Sequence, residues 1–358
     1  MRQNDVRART FAPRVPEFAI RVNGTRLEGA VAWQISSITV EEHVDLPSMF
    51  TLELGTSDDL DAEAAWLDDN KLFAIGDEIT IQLGYTDSAL QPVITGEVTA
   101  LEIECTANGL PRMTVRGYDR RHRLQRGRKV RTFVKRKDSE IAQQIAAERG
   151  FSAKVVDSKI IHEYIVQANQ TDLAFLQERA RRINYEIVVE DKVLHFRPVA
   201  YDSAPVLSLS IANELSEFRA QLSSAGQVSR VKASGWSVKE KKAVVAQASS
   251  YPRMGGQASG AALVRKAFGE AEELVTWEPL ESQQEADARA NARLATIALA
   301  FVRGEGVCPG RTDLRAGRVI EIRGVGKRFS GPYYVTAASH HYGPEGYSTH
   351  FTAWRNST

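Results

Sequence analysis

Neither sign of charge prevails in this sequence of 358 residues: 46 Lys and Arg stand against 45 Asp and Glu, a formal net charge of +1. No global field therefore draws the chain toward nucleic acid or an anionic membrane, and an electrostatic partner has to be met locally. Cysteine is almost absent. Cys105 and Cys308 lie too far apart in sequence for a CxxC or zinc-ligand pair, which fits synthesis in a reducing cytoplasm. No stretch reaches the roughly 18 consecutive apolar residues that a membrane helix needs. No apolar run of signal-peptide length follows the basic start MRQNDVRARTFAPRVP, and residues 1–16 are expected to form an extended arm.

Catalytic signatures are missing as well. The sequence holds no nucleophile elbow, HExxH helix, Cys/His pair or phosphate loop. His340 and His341 invite a metal reading with His350, but neighbours on a strand point to opposite faces and no further ligands accompany them. No metal or cofactor is expected, and the chain reads as a non-enzyme.

What is present is a mainly β pattern, in the α+β class. Hydrophobic residues make up 43% of the chain, enough for two or three cores. Over 17–117, short alternating stretches such as DEITIQLGY and PRMTVRGYD are broken by Gly, Asn and Asp, as in a β-barrel. Asn23-Gly24 supplies the positive φ angles of a primed turn, so FAIRV and RLEGAV are expected to pair. SDDLDAEAAWLDDN, between Thr56 and Asn70, reads as an acidic excursion.

Residues 118–205 read as a small inserted α+β domain. Asp138 is expected to cap a helix that Gly150 stops, and Thr171 to start a second that Asn184 ends. A second barrel is expected from 206–238 and 305–358, interrupted at 239–304 by a peripheral insertion. That insertion joins a polar loop, AQASSYPRMGGQASGAA, to a helix with Ala286, Ala290, Leu294 and Ile297 on one face, ending at Gly304. The last segment repeats the first in outline. Gly76, Ile79 and Ile81 match Gly317, Ile320 and Ile322; Gly96 and Gly331 are each read as opening the next strand, and Gly109 and Gly346 follow. Two similar barrels per chain would let a homotrimer build a ring with pseudo-sixfold symmetry.

The run QANQTDLAFLQERARRINYEIVVEDKVLHFRP resembles the middle domain of the phage late control D and VgrG hub proteins, through Gln167, Thr171, Asp172, Phe175, Leu176 and Tyr185. The closing segment resembles that family's last barrel through Gly317, Gly324, Phe329, Ser330, Gly331, Tyr333, Val335, His340, Gly346, Tyr347 and Thr349. Glu178-Arg179 and Asn184 depart from the usual pattern, Asn184 standing where Gly is common. The resemblance implies a homotrimeric baseplate hub of a contractile injection machine, joining a sixfold inner tube of Hcp-like or tail-tube protein to a threefold spike and touching baseplate wedge proteins. It implies assembly into a virion-like or secretion particle, membrane-attached or extracellular. The chain stops at TAWRNST without the OB-fold and β-helical spike that many relatives carry, so the spike is expected as a separate polypeptide or a continuation.

Two other readings compete. From Arg120 to Lys137 the chain holds ten basic residues and no acid, a candidate polyanion site or partner contact through Arg120, Arg121, Arg123, Arg126, Arg128 and Lys129. Only Tyr118 and Phe133 lie near it, too few for a base-stacking platform, so local acidic partners are the expected use, the acidic Asp58–Asp69 stretch among them. Glu178, Glu186 and Glu190 could pose as a carboxylate pair of a cell-wall hydrolase, though the hub resemblance already accounts for their segment. Arg323, beside the loop 324–331, and Lys327, within it, are candidate contacts to tube or spike, as is the loop 84–92.

Overall fold

A computed structural model describes residues 14–55, 72–106, 110–256, 258–276 and 279–358. The first 13 residues of the expected arm, the acidic excursion and Gly109 lie outside the described residues. The first β unit comprises β1 (Pro16–Val22), β2 (Thr25–Arg26), a single turn α1 (Ala30–Trp33), β3 (Ile35–His43), β4 (Leu46–Gly55), β5 (Glu78–Tyr85), β6 (Gln91–Glu104) and β7 (Arg112–Asp119). Asn23 and Gly24 take φ of 49° and 84°, as the tight turn needs, although β2 is only two residues long. Ile38, Val40, Phe50, Leu52, Ile79, Ile81 and Leu83 alternate inward and close this core.

A 3₁₀ turn (Arg120–Gln125) leads into the middle unit: β8 (Lys129–Lys137), α2 (Asp138–Glu148), β9 (Ser152–Val155), β10 (Ile161–Gln170), α3 (Asp172–Arg182), β11 (Tyr185–Glu190) and β12 (Val193–Pro198). Strands β8 and β10 form a two-stranded ribbon, and β11, β12 and β9 a small mixed sheet. Gly150 and Asn184, at φ of 77° and 57°, follow the two helices in the left-handed conformation. Asp138 does not cap α2 as expected: Lys137 occupies that position, and Asp138 turns into the interior, where it meets Arg179 and His162.

The second β unit is assembled from β13 (Leu207–Ser210) and β14 (Glu217–Leu222) before the insertion and β18 (Val302–Pro309), β19 (Val319–Arg323), β20 (Gly331–Gly343) and β21 (Gly346–Arg355) after it. Between them, β15 (Arg230–Ser237), β16 (Lys242–Ala248) and β17 (Glu272–Val275) make a separate sheet, with α4 (Gly260–Phe268) and α5 (Gln283–Leu299) beside it in the chain. Ala286, Ala290, Leu294 and Ile297 of α5 pack on that sheet. Three expectations are corrected here. Residues 230–237, expected in the second barrel, belong to the insertion's sheet, because their alternation gives one apolar face that either sheet could bury. AQA, expected within the loop, lies in β16. Gly304, expected to end the helix, lies inside β18, where the Phe218 ring covers the place its side chain would take.

The strands of the two β units, expected as two similar barrels, are linked in one continuous sheet of 13 strands, joined where β3 pairs with the second half of β20, while each unit keeps its own core. Their internal orders correspond, β3-β4-β7-β6-β5-β1 in the first and β14-β18-β21-β20-β19-β13 in the second, except that β13 runs parallel to β19 where β1 runs antiparallel to β5. The correspondence reaches single hydrogen bonds. The Gly76 N–H donates to Val98 O at 2.9 Å as Gly317 N–H does to Val335 O at 2.8 Å. The sheet bulges between Val98 and Ala100, and again between Val335 and Ala337. At those bulges the Thr99 hydroxyl donates to Arg116 O and the Thr336 hydroxyl to Thr352 O. The register corrects one expected match. Gly96 lies inside β6 opposite Ile79, where the second unit has Tyr333 opposite Ile320, so Gly96 and Gly331 are not equivalent.

Strand β7 crosses the first core closely at Gly117, where a side-chain carbon would lie 2.2 Å from Glu97 O and 2.3 Å from Phe50 Cζ. Gly117→Ala is expected to lower stability by about 1–3 kcal/mol through overpacking. Gly55→Ala, with open space around it, should stay within about 0.5 kcal/mol of the parent. Urea midpoints of both variants check this.

Candidate assembly interface

A groove of about 780 Å³ lies at the junction of the two units. Glu41, His43, Arg219, Glu305, Ser339 and His350 line it beside the apolar Leu46, Met49, Val307 and Phe351, a mixed surface contributed by both repeats. Alternation contributes to this face, since the same strands send Ile38, Val40 and Val335 into the cores. Arg315 ties the units together, its Nε donating to Glu42 Oε1 at 2.7 Å and its Nη2 to Val93 O at 2.7 Å. Equivalent hairpin connections, 84–92 after β5 and 324–331 after β19, lie at corresponding places in the two repeats. On the second, Arg323 is exposed and paired with Glu321 at 2.7 Å, and Lys327 is exposed.

The basic run divides into an internal and an external part. Arg120 and Arg121 are only 8% and 6% exposed, which removes them from the expected contact surface. Arg120 pairs with Glu78 and lies 3.7 Å from Glu97, while Arg121 holds Asp119 at 3.0 Å and Ser48 Oγ at 3.1 Å. Arg123 Nε and His122 Nε2 each reach Glu97 Oε2 at 2.8 Å. Burial works against the charge on Glu97, but the hydrogen bonds from Arg123 and His122 outweigh it and hold the carboxyl below its usual range. Arg126 and Arg128 are exposed, the latter donating to Asn169 O at 2.9 Å. Lys129 turns inward to Asp172 at 3.0 Å.

Among the family-motif residues, the structure brings Gln167 and Asp172 into one cluster. Both are fully buried, and Gln167 donates to Asp172 Oδ1 at 3.1 Å while accepting from Arg131 at 2.8 Å. Arg131 and Arg149 complete the ring around Asp172, at 3.0 Å and 2.6 Å. Thr171 Oγ1 accepts from the Ala174 N–H at 3.2 Å and so caps α3. Phe175 and Leu176 enter the middle core, the Phe175 ring stacked on Phe133 at 5.7 Å, and the Tyr185 hydroxyl donates to Asp157 O at 3.1 Å. In the last barrel segment, Gly317, Gly331 and Gly346 have φ of 80°, 134° and 105°, and the buried Tyr333 donates to Phe329 O at 2.8 Å.

The posed carboxylates have other work. Glu186 accepts from Arg197 at 2.9 Å and from the Tyr334 hydroxyl at 2.6 Å, docking the middle unit on β20, and Glu178 accepts from Gln170 at 2.7 Å. His340 is fully buried with its Nδ1 at 3.0 Å from the Tyr347 hydroxyl, and burial, with Arg315 and His341 nearby, pulls it down to about 3. His341 lies on the opposite face, against Ser339 Oγ at 2.8 Å. Among the described residues no group of three or more His, Cys, Asp or Glu is arranged to hold a metal, and no helix is long and apolar enough to cross a membrane. Sequence reasoning missed two interior residues, His162 and Glu285. They meet at 2.6 Å across the junction of the middle unit and the insertion, and no local motif marks either.

The profile of the Alg8 N-terminal domain family matches residues 13–343. No curated protein matches the sequence. Among solved structures, the 43 kDa tail protein of prophage MuSo2 from Shewanella oneidensis is similar over 95% of this chain and 98% of its own, at 12% identity and a TM-score of 0.72. The E. coli c3393 protein, a component of the type VI secretion system, is similar over 94% of this chain and 77% of its own, at 14% identity and a TM-score of 0.60. A Francisella PdpA-VgrG complex is matched over 96% of this chain and 53% of that one, at 9% identity and a TM-score of 0.55. The fold is thus that of phage tail and VgrG-type proteins, relatives that are structural parts of tails and secretion machines.

Proposed function

The chain belongs to the Alg8 N-terminal domain family, and from that premise, together with its tail-protein fold, we propose that it is the baseplate hub of a contractile injection machine. In this reading three copies form a ring in which six similar β units face a sixfold tube on one side, while the threefold axis receives a spike. The observation that carries the reading is the repeat: two units with the same strand order and the same Gly–Val hydrogen bonds, placed side by side in one sheet. A heterologous contact that continues this arrangement from copy to copy forms a ring when its rotation closes after three copies. The face around Glu41, Arg219 and His350 would then line the channel, and the hairpin loops 84–92 and 324–331 would meet tube or spike. The role is symmetry matching and transmission of force, with residues 1–16, 17–117, 118–205, 206–229 with 302–358, and 230–301 as its arm, first β unit, middle domain, second β unit and insertion.

Light scattering on the purified chain tests this directly. A mass three times the 39.6 kDa subunit is the expected result, and a strict monomer at tens of micromolar would remove the symmetry-adaptor reading.

A further inference from the structure

Within one chain the two repeats are not equally satisfied. The first half of β20 pairs with β19, and its second half, Ala337–Tyr342, pairs with β3. In the first repeat, β6 pairs with β5 as far as Glu97, and beyond it only with β7. Among the described residues, the edge of β6 that corresponds to the β3-binding edge of β20 therefore carries no strand. The counterpart of β3 is β14, which among the described residues pairs on one side only, with β18. Each chain thus presents a strand edge at one end and the matching receptor edge at the other.

We propose that β14 of one copy pairs antiparallel with the free half of β6 in a second copy, reproducing between copies the β3–β20 junction found within each. The bulges fix the register. Ala100 and Leu101 correspond to Ala337 and Ala338, both pairs following a bulge, so Ile103 corresponds to His340 and Glu104 to His341. On the other strand, Val40 sits opposite Phe50 and Phe50 opposite Gly117, as Ala220 sits opposite Gly304 and Gly304 opposite Ala353, so Ala220 corresponds to Val40 and Arg219 to Thr39. The β3–β20 register, with His340 opposite Val40 and His341 opposite Thr39, then places Ile103 opposite Ala220 and Glu104 opposite Arg219.

Two independent observations suit that register. Ile103 is 60% exposed, although its counterpart His340 and that residue's partner Val40 are both fully buried. An apolar side chain on an open strand edge is a feature that sheets normally cover. The charges also complement each other, since opposite charges directly across an antiparallel pair stabilise it and like charges oppose it.

This rests on the trimeric reading but fails separately from it. In a Cys105→Ser background, Ile103→Cys and Ala220→Cys are combined in one chain and oxidised; Cys308 is buried and out of reach. The expected result is a reducible covalent trimer, and from a mixture of the two single variants a covalent dimer. A trimeric mass without that crosslink overturns the edge pairing and leaves the trimer standing. The crosslink in open-ended oligomers supports the pairing and overturns the trimer, and a monomer without crosslink overturns both. Should the cysteine pair impair folding, charge exchange replaces it: Glu104→Arg and Arg219→Glu should each weaken self-association and together restore it, and failure of the double variant to recover counts against the register.

Discussion

Replacing Asp172 with alanine is expected to destabilise the middle unit by about 3 kcal/mol, the lower part of the range for removing one member of a buried charge cluster. The carboxylate is fully buried and receives Lys129 and Arg131 at 3.0 Å, Arg149 at 2.6 Å and the Gln167 amide at 3.1 Å. Burial alone would raise its pKa, but the hydrogen bonds from Lys129, Gln167 and Arg149 hold it below the usual carboxylate range. Without it, converging cations from β8 and α2 lose their common counter-charge. Glu148, which also contacts Lys129 and Arg131 at 3.3 Å and 2.6 Å, tempers the loss, as does the partial exposure of the cations. The effect should be local. No tryptophan lies between 118 and 205, so hydrogen exchange is expected to show loss of protection over β8, α2 and α3 while the tryptophan fluorescence transition in urea stays in place. Unchanged exchange in the middle unit would show that the cations rehydrate freely and that the cluster contributes little.

The sequence marks Asp172 through the motif it shares with the family but does not reveal its partners. Ser/Thr-Asp at a helix start reads as capping chemistry, and Thr171 does cap α3. Asp172, one residue on, points instead into a cluster whose other members come from β8, α2 and β10, positions that no local pattern connects to it. Punctuation was legible wherever backbone geometry demands a residue type: Asn23-Gly24, Gly150 and Asn184 all have the positive φ their identity suggests. The repeat was legible through Gly76 and Gly317, because both sit in the turn two residues before a strand and donate to a valine carbonyl across the sheet. The match failed at Gly96, whose small size answers close approach to Tyr118 O and not a turn. The basic run shows the same limit. Its charges are evident in one dimension, but Glu78, Glu97 and Asp119, which neutralise the buried members, are brought to it only by folding. Charge density in a sequence therefore does not separate an outward-facing patch from an internal network.

The junction between the middle unit and the insertion should weaken as pH rises above the ordinary histidine value. His162 lies with Nε2 at 3.1 Å from Asp138 and Nδ1 at 2.6 Å from Glu285 of α5. Burial pushes its pKa down, but the hydrogen bonds to Asp138 and Glu285 prevail and raise it above the ordinary value. Because the folded value is the higher one, the stability from the imidazolium is complete below about 6.5, the value of a free histidine. It is lost as pH climbs through the raised folded value. The carboxylates act in the opposite sense. Asp138 and Glu285 resist burial through their bonds to His162, with Arg179 also acting on Asp138, and both are held below the usual range. Their contribution is present above about pH 4 and lost on further acidification. The thermal midpoint should accordingly be highest between those limits and decline on both sides. His162→Gln is expected to flatten the alkaline decline and keep the acid one. Asp138→Ala, which strands Arg179 and His162 in a buried site, should cost about 3–5 kcal/mol at every pH above the acid limb. An alkaline decline that survives in His162→Gln would assign it to another group and leave the junction without its pH dependence.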